Sequence, residues 1–263
     1  MIEQRIIENT NISVSNLGFG TGSLHHIFHK NERIRLLNNI YVDGVTHFDT
    51  SPLYGYGLSE MDLGFFLKCK NDVTVSTKIG LYPVGAYSNN VLNIWTRKFI
   101  GKLIKKRAVP IIDFTIKSAQ KSIISSLQRL NREQIDFLFL HEPILDLIDT
   151  DEMQKFLELE IFSGRIRAYG IAGEKQKIEG FLNENSNLSL VIQTRDSLLN
   201  KESNFLHNYN RSLQFTYGYF SKTNSDSISY DAHSILKKAF MRNTSGCVLF
   251  STKSINHFKQ LIQ

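Results

Sequence analysis

Eight short apolar segments, each followed by a stretch with helical spacing, run the length of this 263-residue chain. They are NLGFGTG at 16–22, VTHFDT at 45–50, VTVSTKIG at 73–80, QIDFLFLHEP at 134–143, IRAYGIAG at 166–173, LSLVIQTR at 188–195, SLQFTYGY at 212–219 and GCVLFS at 246–251. Between the first two, NERIRLLNNIYVDG repeats Ile34, Leu37 and Tyr41 at helical intervals and stops at Gly44. Farther on, IKSAQKSIISSLQRLN sets Ala119, Ile123, Leu127 and Leu130 on one face. Both patterns mark amphipathic helices. In LSEMDLGFFLKCK, Ser59 is expected to cap the helix that follows.

Short strands that are apolar almost throughout are buried on both faces, and alternation with helices makes their sheet parallel. Eight such units in about 250 residues match a closed (β/α)8 TIM barrel. The segment RIIENTNISVS adds a short N-terminal hairpin, and residues 1–263 read as one barrel domain. A doubly wound open sheet is the alternative. It calls for a phosphate loop of the form GxGxxG, and here GFGTGS lacks the third glycine.

Composition narrows the setting. Net charge is +6, from 31 basic and 25 acidic residues, too mild to argue for nucleic acid. Two isolated cysteines, Cys69 and Cys247, fit a reducing compartment and give neither a disulfide framework nor a structural zinc site. The N-terminus does not read as a signal peptide, and no run reaches the ~18 apolar residues of a membrane span. A cytoplasmic protein with no integral membrane segment is expected.

In a barrel, chemistry gathers at the C-terminal ends of strands. The second strand ends in Asp49 with Tyr54 in its loop, the third in Lys78, the fourth in His141. Singly, each has a structural reading: a turn cap, a packed ring, a rim lysine, a satisfied core histidine. Together on adjacent strands, they form either a self-satisfying polar network or a catalytic one, because burying such groups unpaired is costly. A tyrosine of pKa about 10 is a poor acid at neutral pH, and a nearby ammonium favours its phenolate. A carboxylate beside the lysine holds it, and a histidine can hydrogen-bond a substrate oxygen. The set suits a general acid acting on a carbonyl oxygen.

The sequence resembles the aldo-keto reductase family over nearly its whole length. The resemblance is carried by LGFGTG at 17–22, GVTHFDTSPLYGYGLSE at 44–60, STKIG at 76–80, SLQRLNREQIDFLFLHEP at 126–143 and GRIRAYGIAG at 164–173. From Phe114 to Pro143 it is most similar to bacterial sugar- or aldose-dehydrogenating members. The family's catalytic tetrad falls on Asp49, Tyr54, Lys78 and His141. The resemblance implies an NAD(P)-dependent oxidoreductase transferring a hydride between a nicotinamide cofactor and a carbonyl: aldehyde, ketone or sugar. Tyr54 is then the acid–base residue, Lys78 lowers its pKa, Asp49 pairs with Lys78, and His141 orients substrate. Tyr56 is left to the pocket or to packing.

Cofactor positions carry over in part. Gly20 and Thr21 fall at the nicotinamide side, Gln193 at the carboxamide, and Tyr217 at the ring-stacking aromatic. Ser251, Thr252, Lys253 and His257 fall where the family grips the adenosine phosphate. Lys253 and His257 suit a 2′-phosphate, which favours NADP(H) over NAD(H). The family's Ser-Asn pair after the fifth strand is here Ala172-Gly173. Ten residues follow Lys253, so the family's long C-terminal tail is expected to be missing.

The stretch 94–110 is distinctive. It carries Arg97, Lys98, Lys102, Lys105, Lys106 and Arg107 with no acid, and Trp95, Phe99 and Leu103 recur every four residues. It reads as a basic amphipathic helical insert after the third strand, either packed on the barrel or serving as a lid for an anionic substrate. A second function class follows from it: a non-catalytic cofactor-binding sensor or scaffold acting through the insert. A metal-dependent hydrolase is disfavoured, since adjacent His25 and His26 point to opposite faces if they lie in a strand. No metal is expected, and a monomer or weak oligomer is the family default.

Overall fold

The structure, a computed structural model, describes residues 2–85, 87–88, 91, 94, 109–221 and 231–263. The sequence-predicted insert 94–110, and the lid and scaffold readings that rest on it, lie outside the described residues except for Ile94, Val109 and Pro110. At its base, β6 (Leu81–Tyr82) pairs antiparallel with β7 (Ile111–Ile112), a two-stranded ribbon not anticipated from the sequence.

A hairpin of β1 (Gln4–Ile6) and β2 (Ser13–Ser15) opens the chain. Eight parallel strands then close on themselves: β3 (Leu17–Gly20), β4 (His47–Asp49), β5 (Thr74–Ile79), β8 (Ile135–His141), β9 (Ile166–Gly173), β10 (Ile192–Arg195), β11 (Phe215–Tyr217) and β12 (Cys247–Phe250), which returns to β3. Each lies within one of the eight apolar segments, so the open-sheet alternative is excluded. Helices α1 (Lys30–Val42), α2 (Leu58–Phe66), α3 (Ile116–Leu130), α4 (Thr150–Phe162), α5 (Lys175–Asn183), α6 (Ala232–Arg242) and α7 (Ile255–Ile262) lie between or after strands. After β10 the position is filled by a 3-10 helix, Glu202–Tyr209. Among the described residues, no helix is long and apolar enough to cross a membrane.

Strand alternation sorts the side chains. On β8, Leu138 and Leu140 join the outer core beneath the helices, while Phe137 and Phe139 enter the barrel interior with Phe215, Cys247 and Leu249. Each such phenylalanine contributes roughly 1.5–3 kcal/mol by burial. Ile7, Ile12 and Val14 of the hairpin belong to the same interior cluster. Arg5 donates to the carbonyls of Asn243 and Gly246 just before β12, so the hairpin stoppers the N-terminal mouth of the barrel. Function is thereby left to the opposite mouth.

Two local expectations are corrected. Ser59 does not cap α2. Gly57, with φ of +83°, turns the chain into the helix without a side-chain cap. Ser59 lies inside the first turn, fully buried, and its hydroxyl donates to the Thr21 carbonyl at 3.1 Å. His25 and His26 do not lie in a strand. The 3-10 helix Thr21–His26 brings their rings to 4.1 Å.

Candidate active site

On β5, Thr74, Ser76 and Lys78 alternate inward, and on β4, His47 and Asp49 do so. An apolar interior thus carries polar groups toward one mouth, and they satisfy one another. Lys78 Nζ lies 2.7 Å from both Asp49 carboxylate oxygens and 2.9 Å from the Thr50 carbonyl, which uses all three ammonium protons. Asp49 Oδ1 also accepts from the Ser76 hydroxyl at 2.7 Å and the Gln193 amide at 2.9 Å. Below it, His47 sits between Thr74 and Ser76. Burial holds His47 neutral, lowering its pKa to about 4. Burial also pulls the Lys78 pKa down, against the Asp49 charge.

Tyr54 rises over this pair. The Lys78 ammonium lies 5.2 Å from the centre of its ring. The His141 ring stands edge-on to it at 6.1 Å. Burial, then the charges of Asp49 and Glu142, push the phenol well above its ordinary value. The net shift in this arrangement is upward, with burial as its largest cause. Asp49 neutralises the ammonium, and the desolvated ring favours its uncharged form. His141 is likewise held neutral, with a pKa near 3, by burial and then by Lys78. Its Nδ1 is 3.4 Å from the Ser51 hydroxyl.

The loop carrying Tyr54 is fixed from outside the barrel. Glu60, fully buried in α2, accepts from the Thr77 hydroxyl and from Arg129 Nε of α3, each at 2.7 Å. Tyr56 turns away, with φ of +56°, and packs with Leu58, Val91 and Ile94. It is a packing residue rather than part of the pocket.

Tyr54, Lys78, Asp49 and His141 line one cavity of about 510 Å³. Gly20, Gln193, Tyr217 and Ser251 line it too. Gln193 Oε1 is a buried acceptor that receives no hydrogen bond from any described residue. Thr21 does not line the cavity: it is fully buried and donates to the Asp49 carbonyl at 3.0 Å, bracing the strand end. Ser251 and Ser23 bridge the rim through hydroxyls 2.5 Å apart. Thr252 closes the turn into α7 on Ser254. Lys253 lines a separate cleft of about 400 Å³ with Arg35 and Asn256, and His257 is exposed in the first turn of α7. The strand-eight set is therefore split between cavity and cleft.

Sequence reasoning passed over Glu142, Ser23 and Phe220, all on the cavity wall. An acid directly following the strand-end histidine was the available signal for Glu142. Among the described residues, no group of three or more His, Cys, Asp or Glu side chains is placed to hold a metal ion.

The family model of the aldo/keto reductases matches residues 16–192. L-galactose dehydrogenase of Arabidopsis thaliana is 30% identical over 182 residues, 65% of this chain and 49% of that protein. D-threo-aldose 1-dehydrogenase of a Pseudomonas species is 30% identical over 167 residues, 61% of this chain and 48% of that protein. The chain thus spans about half the length of the curated relatives it matches. An aldo-keto reductase of Bacillus halodurans in its holo form superposes with a TM-score of 0.73 at 20% identity, covering 100% of this chain and 90% of that one. The matched stretch begins just before β3 and runs into β10, and so takes in Asp49, Tyr54, Lys78 and His141; the chain belongs to the aldo/keto reductase family.

Proposed function

We propose that the protein is an NAD(P)-dependent oxidoreductase that interconverts carbonyl and alcohol groups, with sugars and aldehydes as its substrate class. One observation carries the reading. An uncharged tyrosine and an uncharged histidine face a common cavity directly above a buried, fully hydrogen-bonded lysine–aspartate pair. The sugar dehydrogenases among the relatives support the substrate class.

When bound, a nicotinamide cofactor supplies or accepts the hydride at the substrate carbon. The residues present fit it. The unfilled Gln193 Oε1 suits the amide protons of a carboxamide, and Tyr217 offers a ring face in the same cavity. Ala172-Gly173 contribute no polar side chain. Tyr54 holds the proton that the carbonyl oxygen gains on reduction. His141, kept neutral, hydrogen-bonds that oxygen without adding charge. Lys78 and Asp49 hold the floor rigid and dry, since their donors and acceptors are spent on each other and on Thr50, Ser76 and Gln193. Lys253 favours a 2′-phosphate, and hence NADP(H) over NAD(H).

Titration of the protein with NADPH and NADH, followed by a carbonyl panel, tests the reading. Tyr54→Phe should bind cofactor as the wild type does and lose about 10²–10⁴-fold in turnover. Absence of binding of both cofactors would overturn it.

A further inference from the structure

Among the described residues that line the cavity, Glu142 is the acid that the proposed chemistry does not use. It follows His141 at the end of β8 with φ of +48°, a left-handed backbone that glutamate rarely adopts. Its amide donates to the Ala172 carbonyl at 2.7 Å, which holds the kink. Strain of this kind is kept where surrounding structure over-determines it, commonly at functional sites.

The kink lays the carboxylate over Gly173. A Cβ at Gly173 would meet Glu142 Oε2 at 3.3 Å and Lys177 Cβ at 2.9 Å. Glycine at 173 therefore makes room for the Glu142 side chain, which lines the cavity. The carboxylate is half-buried and forms no ion pair within 4 Å with any described residue. Burial and then the Glu174 charge push its pKa up, while the Lys177 charge and a backbone hydrogen bond from Glu174 pull it down.

Several other charges around the site are held in ion pairs among the described residues. Lys78 pairs with Asp49, and Arg195 with Glu174 and Glu202. His141 is neutral, as are the two phenols of Tyr54 and Tyr217. Among the described residues, Glu142 is the carboxylate on the wall without an ion pair, and the Lys177 charge acts on it without closing to an ion-pair distance.

We propose that Glu142 is a specificity-determining residue: its carboxylate selects neutral polyhydroxylated or amine-bearing substrates and rejects those carrying a carboxylate or phosphate. This rests on the oxidoreductase reading and names the substrate chemistry of the same site. Hydroxyl and ammonium groups donate to a carboxylate, and charge-assisted bonds are the stronger kind. An anionic substrate brings like charge into a poorly solvated cavity, the repulsive element on which discrimination depends.

The test compares kcat/KM for a neutral aldose, the uronate of the same ring configuration and the matching 2-amino sugar. In wild type the uronate should be the poorest of the three. In Glu142→Gln the uronate-to-aldose ratio should rise about tenfold or more, and the amino-sugar preference should fall. Raising salt should lift the uronate ratio in wild type but not in the variant. If the variant does not fold, the salt series on wild type alone decides, and a flat ratio overturns the proposal. A Glu142→Gln enzyme that turns over the aldose with the ratio unchanged within about twofold also overturns it. Loss of turnover of every neutral carbonyl and alcohol by wild type removes the oxidoreductase reading itself.

Discussion

Lys78 Nζ and Asp49 meet at 2.7 Å through both carboxylate oxygens, inside a barrel where the two side chains are almost wholly shielded from water. The pair is asymmetric in its support. Without Lys78, Asp49 keeps donors from Ser76 and Gln193. Without Asp49, the ammonium keeps only the Thr50 carbonyl among the described residues.

Breaking such a pair from one side strands a charge and costs about 3–5 kcal/mol. Asp49→Asn should therefore destabilise more than Lys78→Met. The double variant should recover about 2 kcal/mol of the summed cost, because neither charge is then stranded. Urea unfolding of the four proteins measures this. Additivity within about 0.5 kcal/mol would show that the pair is not energetically coupled.

The Tyr54 phenol makes a kinetic prediction. Its pKa is pushed up, first by burial and then by Asp49 and Glu142. A proton donor is available below its own pKa, so carbonyl reduction should stay level from about pH 6 to about pH 9. Alcohol oxidation needs the deprotonated form and should rise through the same range. A reduction rate that falls with a midpoint below about pH 9 would show that the Lys78 ammonium prevails once substrate and cofactor are in place.

His47 makes a stability prediction. Its pKa drops from 6.5 unfolded to about 4 in the barrel, chiefly by desolvation. Between those values the unfolded chain binds the extra proton, so stability rises with pH there. Its contribution is complete above about 6.5 and is lost as pH falls toward 4. From about pH 7 to about pH 5 this amounts to about 2 kcal/mol. His47→Asn should flatten the slope in that window. An unchanged slope would assign the acid sensitivity to other groups.

The barrel was legible because each strand carries its own signature. Leu138 and Leu140 face helices and Phe137 and Phe139 face the interior, so both faces of β8 are apolar and the segment cannot be mistaken for an edge. The four convergent residues were legible because ionisable groups at the ends of apolar strands have few structural excuses. The details that were not legible depend on contacts between distant parts of the chain. Ser59 reads as a cap from its neighbours alone, but Thr21, 38 residues away, takes its hydroxyl. Lys78 reads as a strand-end lysine beside Tyr54, but that the Asp49 and Thr50 oxygens use all its protons is seen only in the fold. Glu142 reads as a loop acid until its backbone is seen to turn left-handed over Gly173.

The proposed preference for NADP(H) would rest on a different surface, and it gives the last prediction. The cleft formed by Lys253, Arg35 and the start of α7 has no described acid paired with either cation. Helix α7 is anchored to the end of α1 by Lys259 and Asp43 at 2.6 Å, which aims its N-terminus at this cleft. A phosphate there would meet the positive end of the helix and two cations. Glu32 lines the same cleft and opposes this, so the balance depends on Lys253. Lys253→Met should weaken NADPH binding about tenfold and NADH binding by less than about twofold. The gap should narrow as salt rises, because Lys253 is exposed and its field is screened. Equal weakening of the two cofactors would mean that Lys253 supports the cleft rather than reading the phosphate, and the preference for NADP(H) would then have no residue to carry it.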